Sequence, residues 1–261
     1  MRSLRNLLVF TLIVAFAGIV SAEEFGEDGE IYAAPFDFTP TIDGKVDDWE
    51  QANIPFQKVP HDRGTLPAKD DDDASFRFAL AADDKWLYFA VETLDEKVQS
   101  INPDSWTNDS FELYFDGDDA ASGVYDANDV QLRIGVDNLG KDDPNFVTAT
   151  GTSGYDQLGT MALVVETGKG WILEGGILLD NPKLGEIVVE EDNVIGFNIQ
   201  YNDDDDGQST RDGKLIWAKE DTNDNSWEDS SKFGDLVFIP IDMLAIEPQG
   251  KLWTVWGQLR R

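Results

Sequence analysis

Apolar and polar residues alternate one by one through short runs closed by Asp, Asn and Gly, and few folds accept that pattern. In ASFRFALA the residues Phe76, Phe78 and Leu80 fall on one side of an extended chain; in SFELYFD the residues Phe111, Leu113 and Phe115 do so, and in VQLRIGV the residues Val130, Leu132, Ile134 and Val136. Successive side chains of a strand point to opposite faces, so each run makes a strand with one apolar face. WLYFAVET, MALVVET, GWILEGGILL, VIGFNIQY, KLIWA and GDLVFIP extend the series to about nine or ten runs, with no helical stretch longer than a few turns between them. The connections DDK, DGDD, GKG and DDDDG carry the residues that tight turns need. The pattern predicts an all-β fold, a jelly-roll-like sandwich of two antiparallel sheets, in a single domain over 31–240 without an internal repeat.

The ends are written differently. Residues 1–22 start with Arg2 and Arg5, continue as an apolar run from Leu7 to Val20 and finish on Ser21 and Ala22, which predicts a secretory signal peptide cleaved after Ala22. That run is short for a membrane span, and no later stretch matches even its length, so stable membrane insertion is not expected. Residues 241–261 change to IDMLAIEPQGKLWTVWGQLRR, a tail whose role as strand, linker or sorting signal the text leaves open. Cysteine is absent, which suits a secreted, periplasmic or cell-surface protein of a bacterial envelope. With 20 basic residues against 52 acidic ones, the formal net charge is -32, which disfavours nucleic acid and anionic membranes as partners.

Alternation also says what lies opposite the core. If Phe111 and Leu113 point inward, Glu112 and Tyr114 point the other way, as do Gln131 and Arg133 beside Leu132, and Asn198 and Gln200 beside Ile199. Carboxylate, guanidinium and amide groups together suit a ligand rich in hydroxyls, each of which donates and accepts; solvated positions on an exposed face are the plainer account. Trp49, Trp86, Trp171 and Trp217 lie in or beside apolar runs and are expected in the core. Trp106 and Trp227 stand instead in polar loop text, INPDSWTNDS and DTNDNSWEDSSKFG. An indole held there offers a flat apolar plate for the C–H face of a sugar ring.

The segments NPDSWTNDSFELYFDGDD, VYDANDVQLRI, GWILEGGILL and VIGFNIQYNDDDD with NSWEDSSKFGDL resemble, in order, the motifs of family 9 carbohydrate-binding modules, and TIDGKVDDWEQA is similar to that family's N-terminal strand. The linked patterns W-x-x-D-S-x-E and N-S-W-x-D-x-S-K-F-G are the specific part. The resemblance implies a β-sandwich that grips a glucan or xylan unit, often at the reducing end, between two tryptophans, with structural calcium nearby. Carried over by position, the plates are Trp106 and Trp227, and the polar contacts are Glu112, Gln131, Arg133 and Gln200. Where members can carry a contacting asparagine before the second tryptophan, this chain has Asp224, followed by Asn225.

Asn202, Asp204 and Asp206 alternate ahead of Gly207 as in the first half of a calcium loop and are the candidate calcium ligands, with a solvated turn as the plainer account; the closing glutamate of an EF-hand is missing. The chain is read as a binding module and not an enzyme. Glu112 is the one motif carboxylate on the ligand face, and Arg133 beside it would lower its pKa, against what a catalytic acid needs. A glycoside hydrolase or its accessory domain, a haem-binding relative with only His61, Met161 and Met243 as axial candidates, and a structural surface protein are the other readings. Association with a glycan-degrading enzyme or an envelope assembly is the expected context.

Overall fold

The computed structural model describes residues 26–138, 160–181, 185–208 and 210–245. Residues 1–22, expected to be a signal peptide, and the tail from 246 onward lie outside the described residues. In chain order the strands are β1 (Gly26–Glu27), β2 (Ile31–Phe36), β3 (Gln57–Val59), β4 (Gly64–Leu66), β5 (Ala74–Ala82), β6 (Trp86–Asp95), β7 (Ser110–Asp116), β8 (Asp129–Gly135), β9 (Met161–Glu166), β10 (Trp171–Leu178), β11 (Asp180–Asn181), β12 (Gly185–Glu186), β13 (Val194–Asp203), β14 (Gly213–Ile216) and β15 (Gly234–Pro240). Each of the alternating runs forms one of these strands.

The strands form two leaves. One runs β3-β5-β6-β10-β9 and the other β8-β7-β13-β14-β4, all antiparallel. Their apolar faces meet: Phe76 of β5 packs on Phe111 of β7 at 5.1 Å between ring centroids, and Phe78 on Phe197 of β13 at 5.9 Å. The expected sandwich differs in one respect. β15 pairs with β13 on one side and runs parallel to β2 on the other, and β2 touches β5 through Phe36 and Ala82, so one hydrogen-bonded network passes from leaf to leaf.

Much of the outward face of the first leaf is covered as well. Ala79, Ala81, Tyr88, Ala90 and Ile172 form a second apolar cluster under Val46, Trp49 and Ile54. TIDGKVDDWEQA therefore makes a covering loop and the helix α1 (Asp47–Gln51), where a strand was expected. A side chain decides this. Glu174 Oε2 accepts the N–H groups of Asp43 and Gly44, both at 2.9 Å, and Oε1 accepts Trp49 Nε1–H at 2.8 Å, while Gly44 takes a φ of 76° that favours glycine. Of the four expected core tryptophans, Trp49, Trp171 and Trp217 are fully buried; Trp86 is half-buried and stacks on Tyr88. Met243 and Leu244 of the 3-10 turn Ile241–Ala245 pack on Ala33 and Ile239, so the start of the expected tail belongs to the domain.

Candidate functional site

The outward face of the second leaf carries the polar residues that alternation placed there, and the register lines them up. Glu112 lies opposite Arg133 on one side and Gln200 on the other; Tyr114 lies opposite Gln131 and Asn198; Asn202 lies opposite Ser110 and Lys214. This face is buried, where a solvated surface was the plainer expectation: every residue of β7, β8 and β14 is out of water. The side chains fasten to one another as a result.

Lys214 Nζ donates to Glu112 Oε2 at 2.6 Å and to Asn202 Oδ1 at 2.9 Å, and lies 3.5 Å from Asp224 Oδ1. Arg211 donates from Nη1 to Asn202 Oδ1 at 2.7 Å and from Nη2 to Asp224 Oδ2 at 2.8 Å. The Tyr114 hydroxyl donates to Glu112 Oε2 at 2.7 Å and accepts from Gln131 Nε2 at 3.3 Å. Burial alone would raise the Glu112 pKa, but the charge and hydrogen bond of Lys214, the Tyr114 hydroxyl and the Arg211 charge outweigh it and hold the carboxyl below its ordinary value. The ion-pair partner that the sequence pointed to was Arg133; Lys214 supplies it. Lys214 was legible in KLIWA, one step from the inward Leu215, whereas Arg211 stands in a loop with no period to place it.

Two loops border this face. Trp106 sits in the 3-10 turn Ser105–Thr107 that leads into β7 and is 52% exposed; Trp227 follows β14 and is 46% exposed. The Trp227 loop is tied to β13. Asp221 Oδ2 accepts from Gln200 Nε2 at 2.8 Å and from the Ser226 hydroxyl at 2.6 Å, Asp221 Oδ1 accepts the Asn225 N–H at 2.7 Å, and Asn198 Nδ2 donates to Ser226 Oγ at 2.9 Å. Gln200 is 0% exposed, and its Nε2–H is committed to Asp221. Beside its expected role as a sugar contact, Gln200 supports the Trp227 loop through Asp221. Asn225 is half-buried, and Asp224 is tied to Arg211 and Lys214.

The acidic residues gather in three groups among the described residues, one of which holds two of the expected ligands. Asn202 turns to the polar face, where Lys214 and Arg211 occupy its acceptor. Asp204 and Asp206 group with Asp212. A second group joins Asp73, Glu96 and Asp205, and a third joins Asp95, Asp109 and Asp203, all three buried, with carboxylate oxygens within 4.8 Å of one another. Asp109 Oδ1 accepts the Asp204 N–H and Oδ2 the Gln99 N–H, and Asp95 Oδ2 accepts the Tyr201 hydroxyl. Asp203 Oδ1 is buried with no hydrogen-bond partner. Without a cation between them, burial and then the charge of Asp95 push Asp109 up to about 10 and Asp203 up to about 9. Hard oxygens packed this closely, one of them unsatisfied, fit a divalent cation such as calcium.

Residues 42–239 match the family model described as carbohydrate family 9 binding domain-like. The chain is 30% identical over 201 residues to endo-1,4-beta-xylanase A of Thermotoga maritima and 28% identical over 201 residues to exoglucanase XynX of Acetivibrio thermocellus. These alignments cover 77% and 76% of this chain but only 17% and 16% of those relatives. Among solved structures it is similar to a family 9 carbohydrate-binding module from Caldicellulosiruptor kristjanssonii in complex with glucose, with a TM-score of 0.65 over 81% of this chain and 96% of that one at 22% identity. The module from the same organism in complex with cellotriose gives a TM-score of 0.64 over 84% of this chain and 99% of that one at 21% identity. At these identities the likeness bears on the fold, a β-sandwich.

Proposed function

Because the chain belongs to the carbohydrate family 9 binding domain-like family, we propose that it binds a terminal unit of a glucan or xylan between Trp106 and Trp227 without cleaving it. The observation that carries this reading is the contrast among the tryptophans. Trp49, Trp171 and Trp217 are buried, whereas these two keep half their surface in water on loops at the border of a polar face. Glu112, Gln131, Arg133 and Gln200, on the buried floor between the two loops, are the proposed acceptors and donors for hydroxyls, with Asn225 beside the second plate. Asp224, committed to two cations, takes the place of an asparagine contact. A carboxylate held ionised by Lys214 does not serve as a proton donor at neutral pH, which supports binding without hydrolysis.

Calcium is the proposed cation, with Asp95, Asp109 and Asp203 as its ligands in place of the Asn202, Asp204 and Asp206 set. It would stabilise the ends of β6, β7 and β13, from which the Trp106 loop departs. Export past a membrane follows from the leader; among the described residues no helix is long and apolar enough to cross one. Delivery to a glycan-degrading enzyme or an envelope assembly is the proposed context. Calorimetric titration with glucose, cellotriose and xylotriose, repeated with the reducing ends converted to alditols, tests the reading; heats indistinguishable from dilution for all of them would overturn it.

A further inference from the structure

Resting on the reading of Trp227 as a stacking plate, we propose that Arg211 is a positioning residue for that plate, acting through Asp224. Its two terminal nitrogens serve different parts of the molecule. Nη1 is fixed to Asn202 in the sheet at 2.7 Å, and Nη2 reaches Asp224 in the Trp227 loop at 2.8 Å. The sheet end is rigid, because Asn202 is fully buried and is held as well by Lys214 at 2.9 Å and Ser110 Oγ at 3.1 Å. The next residue is pinned too: the Asp212 N–H donates to Asp203 O at 2.8 Å, and its carboxylate takes the N–H groups of Asp205 and Asp206. A planar guanidinium holding two acceptors at once sets their separation and angle, which a single-point cation does not.

The loop end is where direction is decided. Asp224 has a φ of 57°, a left-handed conformation that Asp and Asn enter more readily than most residues, and it lies three positions before Trp227. Fixing its side chain fixes the way the backbone leaves toward the indole. Asp221 holds the following turn from behind through Asn225 and Ser226, so the loop is supported at two separate points. The Arg211–Asp224 tie is the more accessible of them, with side chains 26% and 18% exposed, next to the face that carries the polar contacts.

The test uses the full chain carrying 5-fluorotryptophan, with the Trp227 fluorine resonance assigned by its loss in Trp227→Phe and the Trp106 resonance as an internal reference. In Arg211→Met and in the isosteric Asp224→Asn, the Trp227 resonance shifts or broadens while that of Trp106 holds. Cellotriose affinity falls by about tenfold in each, and the double variant is weaker by less than about twofold more, as expected for two residues acting as one unit. Arg211→Lys, which keeps the charge and loses the fork, behaves like Arg211→Met. An unmoved Trp227 resonance in both single variants, or affinity losses that simply add, overturns the proposal. If the resonance moves but Trp227→Ala binds cellotriose as tightly as the unaltered chain, the stacking role falls while the positioning role stands.

Discussion

Lys214 Nζ lies 2.6 Å from Glu112 Oε2, with side chains only 1% and 6% exposed. A buried pair of this kind gives little net stability compared with an apolar pair, yet removing one partner strands the other charge. Here it keeps a carboxylate ionised in the middle of the proposed sugar-binding face.

Lys214→Met is accordingly expected to destabilise the domain by about 3–5 kcal/mol at neutral pH, and Lys214→Met with Glu112→Gln to recover a large part of that. The sign with pH separates the two states. In the unaltered chain the folded pKa of Glu112 lies below its ordinary 4.5, so its contribution is present above that value and is lost as pH falls through the folded pKa. In Lys214→Met burial is opposed far less, the folded pKa rises, and stability is lost as pH increases instead. Urea unfolding between acid and neutral pH reads the slope directly; parallel curves for the two proteins contradict it.

Trp106→Ala and Trp227→Ala should each remove most of the sugar affinity and leave the melting temperature nearly unchanged, since neither ring belongs to the core. Trp171→Ala, whose ring packs on Phe111 at 5.0 Å, should cost about 3–5 kcal/mol of stability. Calorimetry and a melting curve for each variant decide; a large stability loss with intact affinity would make the two loop indoles lids over the core.

Calcium at a hundredfold excess over its dissociation constant should stabilise the protein by about 2.7 kcal/mol relative to chelator. Asp203→Asn should abolish that difference, while Asp206→Asn leaves it standing. The reverse result would move the cation to the Asp204, Asp206 and Asp212 group.

Gln200→Leu should lower both stability and sugar affinity, because it strips the support from Asp221 and leaves a buried carboxylate short of a donor, at a cost of about 1–3 kcal/mol. Arg133→Met, if Arg133 is a sugar contact, should weaken binding more than it weakens the fold. Equal stability losses in the two variants would mean that both are supports.

Local covalent geometry made much of this protein legible from its sequence. A strand sends successive side chains to opposite faces, so alternation alone placed Phe111 and Leu113 in the core and Glu112 opposite them, and would have placed Lys214 there too. Exposed tryptophans were legible because their neighbours are polar. β2, IYAAPF, was not legible as an alternating strand, because a strand buried on both faces has no reason to alternate. Nor was the buried acidic group: the spacing of Asn202, Asp204 and Asp206 points to ligands along one segment, whereas the structure also gathers Asp203 with Asp95 and Asp109 from the ends of other strands. Period assigns a residue to a face of its own strand. Whether that face meets water, a loop or three distant carboxylates depends on where the rest of the chain packs, and only the tertiary structure decides it.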